Sequence, residues 1–235
     1  MKILKRNTNI YNVILFQLFT LVFLHVNFSL VDGYSSLDLN TLNLVLEHNL
    51  GLVVISLVNI FFIFFVKKIS KYLLILTTTA TSIICFLLFL ESFNKSILLY
   101  NILYTVISYF FCMIWKLELD EASYNSFFDS RILRPLGLDG VKVFVNTGAT
   151  KFSGVITNWS RETFFLVVDD SVRSIGDCEI DLSYMGVDFS FRAEIVTRTS
   201  EGLGLKVIDE QKLVSLNWFD FYDIISDRGI TPLKI

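Results

Sequence analysis

The sequence predicts a multi-domain membrane protein: an all-α bundle of four transmembrane helices, then a water-soluble all-β domain of six strands closing into a barrel, with a helix at the C-terminus. Three observations predict it. Of the 235 residues, 53% are hydrophobic and only 18% are charged, too apolar for an ordinary soluble domain. The excess is confined to residues 1–115, in four blocks close to the roughly 20 residues that a helix needs to cross a hydrocarbon core. From Val141 onward, short runs alternate with the two-residue period of half-buried strands.

The four spans fall at about residues 12–31, 50–66, 72–93 and 97–115. They are helical because lipid offers no partner to open backbone groups. The second is the shortest, and the stems of Lys67 and Lys68 extend it by snorkelling. Only Asn94-Lys95-Ser96 separates the third from the fourth, which makes a tight helical hairpin. The first has a long apolar region and "NFSLVDGYSS" after it lacks a small-x-small cleavage site, so it reads as a retained span. Between the first two spans, Leu39, Leu42 and Leu46 share one helical face, the pattern of a short helix on the outer surface.

Charge orients the chain. Residues 1–115 hold seven basic and four acidic side chains, a balance of +3; residues 116–235 hold thirteen and nineteen, a balance of −6. "MKILKR" precedes the first span and "KKISK" separates the second from the third. Positive loops stay in the cytoplasm, so both termini and the soluble half are expected there. An acidic soluble half argues against a nucleic-acid polymer as partner.

Little chemistry is legible within the bilayer. His25 lies well inside a span, with Asn27, Asn59 and Asn101 as polar company. An intramembrane ionisable group is a functional candidate, but one histidine with no interior carboxylate fits interhelical hydrogen bonding better than a relay. His48 beside Glu47 has no third ligand nearby, so no metal is expected. Cys85, Cys112 and Cys178 read as small buried hydrophobes. With no nucleophile–base pair, no catalytic residues and no enzyme activity are expected.

Residues 116–130, "KLELDEASYNSFFDS", read as a helical connector extending the fourth span, with Leu117, Leu119, Tyr124, Phe127 and Phe128 as its apolar positions. Pro135 and Gly137 then break the chain. The strands are "VKVFV", "FSGVIT", "TFFLVV", "CEIDLSY", "VDFSFRAEIVTRTS" and "LGLKVI", with turns expected at Met185-Gly186 and Glu201-Gly202. In the fifth, Val187, Phe189, Phe191, Ala193 and Ile195 share one face. Six short strands with no helix between them imply a small antiparallel barrel over residues 131–209. In residues 210–235, Leu213, Leu216, Phe219 or Asp220, and Ile224 recur at helical spacing.

"SRILRPLG" precedes the first strand, Asn158-Trp159-Ser160 ends the second, and Gly176-Asp177 and "GLGLKVI" follow in place. The order of these features resembles a PilZ domain, the bacterial barrel that senses cyclic di-GMP. The resemblance covers roughly residues 129–209. It implies that Arg131 and Arg134 match the family's arginine loop, and that Asn158 and Ser160 match the start of its [D/N]xSxxG motif. The arginines would then fork onto phosphates and guanine edges. The expected ligand is cyclic di-GMP, a regulatory ligand; no other cofactor is expected. The expected setting is the bacterial inner membrane, with partners among membrane proteins of motility, pilus or exopolysaccharide machinery. Closure of the arginine loop would pull on the fourth span or expose a partner surface. Two departures stand out: the arginines are spaced RxxR, one residue short, and Thr163 stands where the family has glycine. A β-branched residue tolerates positive φ badly, so the bend there must differ. Two readings stay open: a nucleotide-sensing effector, and an adaptor whose barrel has lost its ligand and binds protein.

Overall fold

The computed structural model describes residues 2–33, 39–125, 138, 141–147, 151–168, 176–208, 216–230 and 232. The chain divides into two compact units: Asn7–Leu119, and Met1–Arg6 together with Asp120–Ile235.

The first unit holds helices α1 (Thr8–Asp32), α2 (Leu39–Phe64), α3 (Ile69–Ser92) and α4 (Lys95–Leu119). Each contains a stretch long and apolar enough to span a membrane: Thr8–Val31, Val45–Phe64, Ile69–Ser92 and Lys95–Leu119. The ends follow local chemistry more than hydrophobicity. Asn7 caps α1, its side chain accepting from the Asn9 N–H at 3.5 Å, so the helix begins four residues before the expected 12. The short helix expected before the second span and that span are one bent element, kinked where Asn49 leaves helical geometry (φ −127°, ψ 25°). That element stops at Phe64, short of the expected 66, as Val66 turns left-handed at φ +50°. Between α3 and α4, Phe93 takes φ +50° and Asn94 Oδ1 accepts from the Ser96 N–H at 3.0 Å, which gives the expected tight hairpin.

With no water in a hydrocarbon core, polar groups must satisfy one another. Trp115 Nε1 donates to Ser70 Oγ at 2.9 Å, Tyr104 to Thr20 Oγ1 at 3.2 Å, and Gln17 Nε2 to Thr77 Oγ1 at 3.2 Å. With its amide nitrogen toward Ser70 O (3.1 Å) and its oxygen toward the Leu74 N–H (3.2 Å), Asn59 bridges α2 and α3. Asn101 accepts from Ser82 Oγ at 3.0 Å across the α3–α4 hairpin. Asn27 departs from the expected interhelical role and donates to Phe23 O of its own helix at 2.8 Å. A further contact went unread in the sequence. Glu118, buried near the end of α4, accepts from Asn7 Nδ2 (2.9 Å) and Asn9 Nδ2 (2.8 Å) through Oε2. The carboxylate lies at the start of α1, where the helix dipole favours a negative charge.

The second unit is a sheet of β1 (Lys2–Ile3), β2 (Lys142–Asn146), β3 (Lys151–Trp159), β4 (Thr163–Val168), β5 (Asp177–Tyr184), β6 (Val187–Arg198) and β7 (Gly202–Ile208), followed by α5 (Trp218–Asp227). All pairings are antiparallel, in the order β1-β6-β5-β2-β3-β4-β7. Strand β7 also pairs with β6, so the pairings of β2 to β7 return on themselves. Met185 (φ +53°) and Gly186 (φ +82°) make the expected β5–β6 turn, both in the left-handed region that a two-residue hairpin favours. The β6–β7 turn lies at Thr199–Glu201, and Gly202 is already in the strand.

Four expectations are corrected here. Residues 1–6 join the sheet unit: Lys2 and Ile3 pair with Arg198 and Thr197, the Leu4 N–H donates to Val196 O at 2.8 Å, and Lys5 Nζ meets Glu194 Oε2 at 2.7 Å. Two residues are too short a strand for alternation to reveal. The helical connector expected over 116–130 ends at Leu119; Glu121 is extended and Ala122–Tyr124 form a single 3-10 turn, with Ala122 and Ser123 buried. The rest of that connector, 126–130, lies outside the described residues. Val187 is 40% exposed, so the buried face of β6 starts at Phe189. Finally, α5 buries Trp218, Phe221 and Ile225 instead of the expected Leu216–Ile224 face, with Leu213 outside the described residues. The cause is a capping box, Asn217 accepting from the Asp220 N–H (3.2 Å) and Asp220 Oδ2 from the Asn217 N–H (2.8 Å), which sets where the helix starts.

The core inside the sheet includes Val143, Val145, Ile156, Phe164, Ile180, Phe189, Ala193 and Leu205, closed by Trp218 and Phe221 from α5. Cys178 belongs to it, its Sγ donating to Ala193 O at 3.2 Å. Burial pushes this thiol from an ordinary 9.0 up to about 12. The folded thiol thus holds its proton where the unfolded one has lost it. Its contribution to stability is full below pH 9.0 and is lost as pH climbs toward 12. At pH 8, Cys178 should resist maleimide in the native protein and react once the sheet unit is unfolded in guanidinium. Equal labelling rates before and after unfolding would disprove its burial.

Candidate functional site

Of the four residues expected to bind a ligand, Arg131 and Arg134 lie outside the described residues. Asn158 and Ser160 are brought to one corner, where the β3–β4 hairpin meets β7. A bulge aims them. Ile156 pairs with Leu166 and Asn158 with Phe165, leaving Thr157 as the extra residue on β3. Such a bulge re-aims the side chains that follow it, and Thr157, Asn158 and Trp159 are all buried.

The bend runs through Ser160-Arg161-Glu162-Thr163. The Ser160 N–H donates to Thr163 O at 2.7 Å, and the Thr163 N–H donates back to Ser160 Oγ at 3.1 Å. No residue from 159 to 163 has a positive φ. Thr163 therefore needs no left-handed backbone: the bend is closed by the Ser160 hydroxyl, and Thr163 begins β4 opposite Lys206. The tip is pinned from two sides. The Val207 N–H donates to Glu162 O at 2.9 Å, and Trp218 Nε1 donates to Arg161 O at 3.0 Å.

What fills the corner is the segment that follows α4. Thr163 Oγ1 donates to Glu121 Oε2 at 2.7 Å, and Ser160 Oγ lies 3.3 Å from the same oxygen. Asn158 Nδ2 donates to Asn125 O at 2.9 Å, and Thr197 Oγ1 donates to Ser123 O. The backbone approaches so closely that a Cβ at Gly204 would overlap both Ser123 O and Thr197 Oγ1. Only glycine permits this packing. The segment also explains why β4 is buried on both faces: Phe165 is fully buried yet stands outside the inner core.

The corner therefore presents donors, from Asn158, Ser160, Thr163 and Thr197, and the chain supplies the acceptors, one carboxylate and two main-chain carbonyls. Charge-assisted bonds to a carboxylate are the strongest of these. Glu121, Ser123 and Thr197 carried no recognisable signal in the sequence. With Thr163 and Gly204 the corner is spread over 84 residues (Glu121 to Gly204), and only the fold assembles it.

No protein-family model matches this chain, and no curated protein matches it.

Proposed function

We propose that this chain is a membrane-anchored adaptor, with a PilZ-like barrel on the cytoplasmic side of a bacterial inner membrane, whose corner serves protein contacts instead of nucleotide binding. One observation carries the reading: the amide nitrogen of Asn158 and the hydroxyl of Ser160 are already engaged by Asn125 and Glu121 of the chain's own connector. A dianionic ligand entering there would have to displace a carboxylate and would lose the same donors to it. The closed pairing of β2 to β7 supports the barrel, and the basic "MKILKR" and "KKISK" segments support the orientation.

A second reading keeps cyclic di-GMP as ligand, because Asn158 and Ser160 do converge on one corner and Arg131 and Arg134 follow the connector in the chain. The test is calorimetric titration of the full chain in lipid nanodiscs with cyclic di-GMP, beside Arg131→Ala/Arg134→Ala. The full chain is needed because a fragment starting after α4 would lack β1. The adaptor reading expects no saturable heat. Saturable binding that the double substitution abolishes would replace it with the receptor reading.

A further inference from the structure

We infer that the corner is a peptide site, filled in this structure by the chain's own connector, and that a partner protein enters it with a segment of the same chemistry: a carboxylate followed by two small residues. The inference rests on the adaptor reading of the corner. Each part of the site selects one feature of its occupant. The Ser160 and Thr163 hydroxyls face a single carboxylate oxygen, that of Glu121. The next two residues, the small Ala122 and Ser123, are 2% and 3% exposed, so both lie enclosed in the corner. Thr197 and Asn158 read the main chain beyond them, at Ser123 O and Asn125 O. Gly204 provides the space in which that main chain lies.

An occupant held this way is exchangeable. The segment is a single 3-10 turn, Ala122–Tyr124, without the cooperative hydrogen bonding of a longer helix. It is also short of slack. Only Asp120 separates the last residue of α4, Leu119, from Glu121, and a residue spans at most about 3.6 Å. Replacing the connector by a partner's segment frees Glu121–Asn125.

The experiment uses the full chain in nanodiscs and a labelled peptide of its own sequence, LDEASYN (residues 119–125). Glu121→Lys removes the carboxylate that accepts from both hydroxyls and should vacate the corner. Expected are faster hydrogen exchange at residues 121–125 with β5–β6 amides still protected, and peptide binding at least about tenfold tighter than to the wild type, whose corner is filled in cis. A peptide with glutamine for glutamate should bind about tenfold more weakly, as expected for one lost charge-assisted bond. So should the authentic peptide on Glu121→Lys/Ser160→Ala/Thr163→Val. The proposal is overturned if Glu121→Lys leaves 121–125 as protected as in the wild type. It is equally overturned if the segment is released and the peptide still does not bind. Failure of the adaptor reading shows separately, as heat with cyclic di-GMP.

Discussion

Gly204→Ala should lift the connector out of its corner while leaving the sheet paired. A Cβ at this position would overlap a main-chain oxygen, Ser123 O, and the hydroxyl of Thr197, which is fully buried. Neither obstacle is the end of a flexible side chain, so one backbone must yield, and overpacking of this kind costs about 1–3 kcal/mol. Gly204 pairs with Phe165 on β4 and Thr197 on β6, whereas the connector is held by one turn and a few side-chain bonds. The connector should therefore move first. Hydrogen exchange at residues 122–125 should rise, with β4–β7 amides unchanged. Gly202→Ala makes the matched control. Its Cβ would overlap Leu166 O of the neighbouring strand, so strain there falls on the β4–β7 ladder itself. Unchanged exchange at 122–125 in Gly204→Ala would show that the close approach does not hold the connector.

Trp218→Ala should be the most damaging single change in the sheet unit. Trp218 is fully buried, stacks on Phe164 with centroids 4.6 Å apart, and packs on Phe191 and Phe221 at 5.5 Å. Truncating a buried Trp costs about 3–5 kcal/mol, a large share of the roughly 5–15 kcal/mol that stabilises a domain. The indole also donates to Arg161 O at the tip of the β3–β4 hairpin, so the loss reaches the corner. Trp218→Phe separates the two effects. It keeps most of the apolar burial and removes the hydrogen bond, at a cost of about 1 kcal/mol. Thermal melts followed by near-ultraviolet circular dichroism would rank the variants. A melting temperature for Trp218→Ala within a degree or two of wild type would refute the packing role given to α5.

The membrane helices and the six longer strands were legible because each announces itself locally. A run of about 20 apolar residues has one stable solution in lipid, and period-two alternation such as "CEIDLSY" specifies which side of a strand is buried. The hairpin at Met185-Gly186 was legible for the same reason: the turn chemistry lies within two adjacent residues. Misreadings came where local pattern met a longer-range partner. Lys2-Ile3 has no pattern of its own and becomes a strand because the edge of β6 at Thr197 and Arg198 accepts it. "DEASYN" continues a plausible helix until Ala122 and Ser123 find burial against the sheet. In α5, the hydrophobic spacing of Leu216 and Ile224 lost to a capping box that starts the helix at Trp218.

The candidate corner divides along the same line. The sequence by itself determined the apolar spans, the alternating strands, and the position of Asn158 and Ser160 where β3 gives way to the bend before β4. Those features depend on neighbours a few residues apart. Only the tertiary structure decided that Glu121, Ser123 and Asn125 satisfy the corner's donors, and that Gly204 is required for close approach as opposed to a turn. Those contacts join residues 33 to 81 positions apart, as with Asn125–Asn158 and Ser123–Gly204. Hydrogen-bond satisfaction and steric room at such separations are set by how strands register around a core, and no local pattern encodes that.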